Sequence, residues 1–347
     1  MAKQTVLIIG GTGAQGSAVV KALSNSGDFH VKILTRDAST THAKDLAALP
    51  DVSLIEGDPH NEDDLFRAFK GIDATFVNTN GFAIGEKAEL YWGIRIWEIA
   101  RMSDVKHFVY GGLEYISKLG NYDPKFRVGH YDAKGKVEEF IKAQGTSPMA
   151  WSILNSGPYM ESLNELLRPT KTDDGTYIFT APLGQDGAMP MIHLEDLALV
   201  ALWMFQNLDK SKAMELGVAT EHVSWPYLVE TFTAVTGKPA HYNDVPVDAW
   251  VELGFAHLPN GPDTKIGLRG TGAVENDTTF MTFRQNFTNW MNLYRASGGN
   301  KGLIQRDYKL LDEILPNRVK SLGEWMKKTG YNGDYKPLLK DIADRVA

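Results

Sequence analysis

Short apolar runs alternate with amphipathic stretches through the first half of the chain. Val6-Leu7-Ile8-Ile9, Val52-Ser53-Leu54-Ile55, Ala74-Thr75-Phe76-Val77 and His107-Phe108-Val109-Tyr110 are largely apolar at consecutive positions, as strands covered on both faces must be. Between them, 62–69 and 90–102 carry helical spacing, and a further helix over about 131–143 leads to a sixth strand around 151–154. This rhythm predicts βαβ units: an α/β fold with a doubly wound parallel sheet. After about residue 157 the alternation gives way to helical patterns with a few short strands, rich in Trp, Tyr, Phe and Met. The chain therefore divides into a sheet domain, 1–157, and a smaller, mostly helical substrate-side region, 158–347, partly interleaved with it. Residues 257–275 combine glycines and prolines with little periodicity, which fits a lid and a surface insertion equally well. Ligands of such sheets bind at the carboxyl ends of the strands. The positions to inspect are 10–16, Arg36, Asp58, 78–81, 110–113 and 155–159, the last including Asn155 and Tyr159.

The first strand runs directly into Gly10-Gly11-Thr12-Gly13-Ala14-Gln15-Gly16, and a helical pattern follows at once. Strand, glycine turn and helix in this order are what a Rossmann-type dinucleotide site requires. Gly10 permits the sharp turn, Gly13 lets the backbone approach a pyrophosphate, and Gly16 lets helix and strand pack closely. Thr12, Ala14 and Gln15 are then cofactor contacts as well. The G-x-x-G-x-x-G spacing points to the short-chain and extended reductase branch. The second strand, 30–35, ends in Thr35-Arg36, where an NAD site would place a carboxylate for the ribose 2′-hydroxyl. A guanidinium suits a 2′-phosphate instead, so the expected cofactor is NADP(H). His42 and Lys44 could add charge there, and Asp37 should point away from Arg36.

Composition narrows the functional classes. With 347 residues, 43% hydrophobic and 23% charged, the chain has enough apolar sequence for a large core. Net charge is −7 with no Lys/Arg cluster, so nucleic-acid binding is not expected. There is no cysteine, which removes disulfides and thiol redox sensing; any redox response must come through the nucleotide. The nine histidines form no H-x-x-x-H cluster, and no metal site is expected. The longest apolar run, 197–205, falls short of the ~20 residues a membrane span needs, and the N-terminus has no signal-peptide layout. The expected location is the cytosol, with the nucleus as the alternative.

With these residues placed, the chain resembles the NmrA-like family of atypical short-chain dehydrogenases, which includes a fungal nitrogen regulator and a human redox sensor. The matching segments are the glycine turn, Leu34-Thr35-Arg36, Glu56-Gly57-Asp58, Thr75-Phe76-Val77-Asn78-Thr79-Asn80, Val109-Tyr110-Gly111-Gly112-Leu113-Glu114, the run from His130 through Lys134 to Glu139, and Tyr159-Met160-Glu161-Ser162-Leu163. A weaker match lies at Ser321-Leu322-Gly323-Glu324-Trp325. The resemblance implies NADP(H) binding with Asp58 near the adenine, Asn78, Thr79 and Asn80 along the cofactor, and Lys134 at the nicotinamide ribose.

Reductases of the ordinary short-chain type protonate substrate with a Tyr whose pKa a nearby Lys lowers, assisted by a Ser. Here Tyr131 and Lys134 are three apart rather than four, and Gly111-Gly112 stand where the Ser belongs. Three roles stay open: Lys134 holds the ribose, as the resemblance implies; Lys134 is the acid or base; or Tyr131 donates the proton. The human sensor has Phe at the position of Tyr131, which favours an enzyme here. His130 could be a donor or pack at the helix start, with packing preferred, and His193 and Asp196 are read as structural. Phe82, Tyr91, Trp92, Tyr159, Trp225 and Trp250 are candidates for an apolar pocket. Two functions follow. One is an NADP(H)-dependent reductase of a C=O, C=N or C=C bond in an apolar, aromatic small molecule; the other is a non-catalytic redox sensor acting on a protein partner.

Overall fold

The computed structural model describes residues 3–267 and 279–338; positions 268–275 of the glycine- and proline-rich stretch lie outside the described residues. In the first half, strands and helices alternate: β1 (Gln4–Ile9), α1 (Ala14–Ser26), β2 (Phe29–Thr35), α2 (Thr41–Ala47), β3 (Val52–Glu56), α3 (Glu62–Phe69), β4 (Ala74–Val77), α4 (Gly81–Met102), β5 (His107–Gly112), α5 (Ile116–Leu119), α6 (Gly129–Lys142) and β6 (Ala150–Asn155). The expected helix at 90–102 is longer than its apolar spacing showed. It begins at Gly81 and kinks at Gly85, whose φ of 77° is open only to a residue without Cβ strain.

The second half contributes β7 (Thr170–Lys171), β8 (Tyr177–Thr180), β9 (Ala188–Met191), α7 (Leu194–Gln206), α8 (Leu208–Ser211), β10 (Met214–Gly217), β11 (Glu221–Ser224), α9 (Trp225–Thr236), β12 (Ala240–Asn243), α10 (Val247–Phe255), β13 (Pro259–Pro262), α11 (Phe283–Arg295), α12 (Tyr308–Ile314) and α13 (Leu322–Thr329). The central sheet has seven strands in the order β10-β6-β5-β4-β1-β2-β3, all parallel. Its seventh strand comes from far beyond residue 157, with Leu216 of β10 opposite Leu154 of β6.

Alternation along the strands separates two apolar layers. Val6, Ile8, Val31, Ile33, Val109 and Leu154 face α1 and α7, where Val19, Val20, Leu23, Leu197, Ala201 and Met204 are buried. Leu7, Ile9, Leu34, Phe108, Tyr110 and Ile153 face α3, α4 and α6. A third core, built on Phe179, Trp225, Phe232, Trp250, Phe255, Phe287 and Trp325, gathers elements of the second half of the chain. Among the described residues, no helix is long and apolar enough to cross a membrane.

The interleaving makes a prediction about truncation. A chain cut after residue 157 lacks α7 and β10, leaving Val19, Val20 and Leu23 of α1 uncovered at roughly 1.5–3 kcal/mol for each side chain no longer fully buried. Such a fragment should bind a hydrophobic dye and melt without a sharp transition, whereas the full chain melts cooperatively. A cooperative, dye-silent 1–157 fragment would show that the first half stands alone.

Candidate functional site

Sheet order reverses between β1 and β4, so the chain leaves these neighbouring strands in opposite directions and opens a crevice at their carboxyl ends. The glycine turn forms one wall. Gly10 has φ +81°, and a Cβ there would collide with the backbone carbonyl of Asn78; a Cβ on Gly16 would collide with the carbonyl of Gly10. Gly13 is different. Its only near neighbour is the Gly10 carbonyl, at 3.3 Å, so it faces open space. Gly13 is also the N-cap of α1, and no side chain caps that helix. An uncapped helix start leaves its first amides to an external acceptor, and the helix dipole favours an anion there.

A polar relay crosses the floor of the crevice. The Lys134 ammonium donates to Asn78 Oδ1 (3.0 Å), the Thr79 carbonyl (3.0 Å), Thr79 Oγ1 (3.2 Å) and the Gly111 carbonyl (3.2 Å). Its charge partner is Glu89, 3.3 Å away and fully buried on α4. Glu89 Oε1 also accepts from the Thr79 hydroxyl at 2.6 Å. From Asn78 the relay continues: its Nδ2 donates to Gln15 Oε1 (2.9 Å), which also accepts from the Tyr159 hydroxyl (3.2 Å). Among the described residues, Gln15 Nε2 is buried without a partner. A buried donor left open beside an uncapped helix start fits a phosphate- and hydroxyl-rich cofactor.

The outer rim holds the β2 and β3 tips. Arg36 is exposed and, among the described residues, has no carboxylate partner. Asp37 turns back on its own loop, accepting from Ser39 N (2.7 Å) and Ser39 Oγ (2.6 Å), which hold its carboxyl below the usual range. Asp58 accepts from the His60 amide at 2.9 Å, and the His60 ring packs on Trp92. Asn80 is exposed at the N-cap of α4, and its side chain makes no capping bond. Thr12, Gly13, Ala14 and His42 line a groove of about 1020 Å³ running between α1 and α7, so His42 borders the glycine turn. Lys44 lies within electrostatic range of Asp37.

Two of the expected site residues stand apart from this floor. The Tyr131 hydroxyl is buried and paired with the Tyr294 hydroxyl at 2.6 Å in the third core; burial and then the Glu114 charge push its pKa up. The Asn155 amide is spent inside the protein on Glu138 (3.2 Å) and Glu215 (3.3 Å). Glu138 is nearly inaccessible, and burial followed by the Glu114 charge raises its pKa well above the usual range. Gly112 must be glycine for this reason: a Cβ would overlap Glu138 Oε1 and Asn155 Oδ1. His130, four residues before Lys134, lies between Phe82 and Phe287 at 4.7 and 5.9 Å, with Asn286 on its Nδ1. Burial drives its pKa down to about 4. It borders a cavity of about 30 Å³ shared with Gly81, Phe280 and Met281. Of the other aromatic candidates, Trp225 and Trp250 are core, and Tyr91 is exposed at the surface. His193 stands at the N-cap position of α7 with its ring between Glu161 (2.5 Å) and Glu195 (3.2 Å), and Asp196 accepts from Val319 N (2.9 Å).

Glu89 is the residue that sequence reasoning missed. It is a single glutamate inside a helix, and only its complete burial beside Lys134 marks it.

The seven-stranded parallel sheet, its topological switch and the glycine turn define a Rossmann-type α/β protein. Within that class the chain belongs to the NmrA-like family, whose sequence model matches residues 2–274. An NmrA-like oxidoreductase of Malbranchea aurantiaca, malD, is 27% identical over 344 residues, covering 94% of this chain and 96% of that protein. The fold is also that of the negative transcriptional regulator NmrA, solved in complex with NADP, with a TM-score of 0.71 and 17% identity over 96% of this chain and 99% of that one. The Citrobacter sp. triphenylmethane reductase, solved with NADP(H), gives a TM-score of 0.69 and 17% identity over 93% and 99%.

Two predictions follow from the packing. Gly16→Ala should lower Tm by several degrees, because the methyl meets backbone that cannot yield, while Gly13→Ala should leave Tm nearly unchanged; scanning calorimetry of both variants checks this. The second concerns Glu138, which keeps its proton in the fold above the pH at which the unfolded chain releases it. Its contribution is complete below the ordinary value of 4.5 and is lost as pH rises toward the folded value. Glu138→Gln should therefore gain Tm relative to wild type progressively from pH 5 to 8. A constant offset between the two proteins would contradict the protonated state.

Proposed function

We propose that this protein is an NADP(H)-dependent oxidoreductase that reduces a C=O, C=N or C=C bond in an apolar, aromatic small molecule. The observation that carries the reading is the juxtaposition on one helix of Lys134, at the strand ends, with His130, in the aromatic stack of Phe82 and Phe287. Residues four apart share a helix face, so a cofactor ribose over Lys134 would bring its ring toward flat, apolar walls. The reduced nicotinamide supplies the hydride when bound. The first turn of α1 receives the pyrophosphate, Arg36 receives the 2′-phosphate, and Lys134 holds the nicotinamide ribose and is the nearest acid to the reacting atoms. The Tyr131 hydroxyl, committed to Tyr294, is assigned to packing. The triphenylmethane reductase, an enzyme named for a triaryl substrate, supports the substrate class.

One observation favours the second reading, a non-catalytic NADP(H)-binding regulator acting on a protein partner. Gly111 and Gly112 offer no hydroxyl at the end of β5, so the acid machinery is sparse. Turnover decides between the two readings.

Arg36→Ala should weaken NADPH binding by about 1–3 kcal/mol and leave NADH nearly unchanged, as read by titration calorimetry; equal losses would remove the 2′-phosphate assignment. In an NADPH-oxidation assay against aromatic ketones, imines and enones, Lys134→Met should lose roughly 10²- to 10⁴-fold in turnover, while Tyr131→Phe stays within about threefold of wild type. The opposite order would return the acid role to Tyr131.

A further inference from the structure

We infer that Glu89 is the positioning residue of this site: its buried carboxylate fixes both the place and the charge of the Lys134 ammonium beneath the cofactor. The inference rests on the assignment of Lys134 to the cofactor ribose and goes beyond it, because Glu89 touches no open surface. Glu89 approaches Lys134 to 3.3 Å with its side chain fully buried, and it receives the Thr79 hydroxyl at 2.6 Å. Thr79 in turn accepts from the same ammonium through its carbonyl and its hydroxyl. The remaining oxygen, Glu89 Oε2, has no hydrogen-bond partner among the described residues and packs against Gly81, where a Cβ would overlap it. The glycine that opens α4 is thus explained by the carboxylate rather than by its own backbone.

Among the described residues, every other group around the ammonium is neutral near pH 7. Asn78, Thr79 and the Gly111 carbonyl are uncharged. The Tyr110 ring, 5.5 Å from Nζ on β5, has a hydroxyl pushed up in pKa by burial, and His130 on α6 is held neutral by burial. Glu89 is the one anion facing Lys134 from α4. Without it, a buried cation is left among dipoles, a situation that drives a lysine toward its neutral form.

The test measures NADPH affinity by fluorescence titration from pH 6 to 9. Wild type supplies the reference profile. Glu89→Gln should bind about tenfold more weakly at pH 9 than at pH 6, as the charge-assisted bond is lost, and the slope should vanish in Glu89→Gln/Lys134→Met. Because Glu89→Gln risks misfolding, Gly81→Ala provides a second route, displacing the carboxylate without removing it. It should reproduce the slope, and Gly81→Ala/Glu89→Asp, whose shorter side chain clears the methyl, should flatten it. A folded Glu89→Gln with a flat profile overturns the role of Glu89. Failure of wild type to bind NADPH at any pH overturns the cofactor assignment instead.

Discussion

A lysine ammonium removed from water must find oxygen on every side, and that requirement organises this protein. Lys134 is 7% exposed, and its partners come from the ends of β4 and β5 and from the middle of α4. One cation therefore ties three elements together where the sheet reverses its order. Leaving either Lys134 or Glu89 without the other costs about 3–5 kcal/mol in buried pairs of this kind. The strand ends cannot spread without that penalty.

The relay from Lys134 through Asn78 to Gln15 carries this order to the glycine turn. Its far end is an amide donor without a partner beside a helix start without a cap. A protein that needed only to fold would place Ser or Asp at that cap. The chain instead forgoes local satisfaction at the glycine turn while surrounding the ammonium with oxygen. The open donors are gathered at the glycine turn, and the rigid network at Lys134.

Much of this was legible in the sequence because local rules carry it. The consecutive apolar runs at Val6 and Phe76 become buried parallel strands, and the glycine spacing demands its turn through sterics at Gly10 and Gly16. Arg36 stands at a strand tip that alternation alone defines. The remainder depends on tertiary packing. Leu216 joins the sheet in a four-residue strand among helical patterns, too short for its periodicity to show. Tyr131 and Lys134 look equivalent three residues apart on α6, yet one turns to Tyr294 and the other to the strand ends. Asn155 lies at a strand terminus, where ligands bind, but its amide faces the buried Glu138. Glu89 carries no local signal, since a glutamate in a helix is ordinarily a solvated residue; its meaning comes from what α6 places against it.

The most direct measurement of this account is a crystal structure of the protein with NADP bound. The pyrophosphate is expected on the first amides of α1, the 2′-phosphate at Arg36, and a nicotinamide-ribose hydroxyl within hydrogen-bond distance of Lys134 Nζ, with Glu89 still paired to that ammonium. A cofactor seated away from the glycine turn, or a Lys134 that leaves Glu89 and the strand ends to accommodate it, would contradict the account.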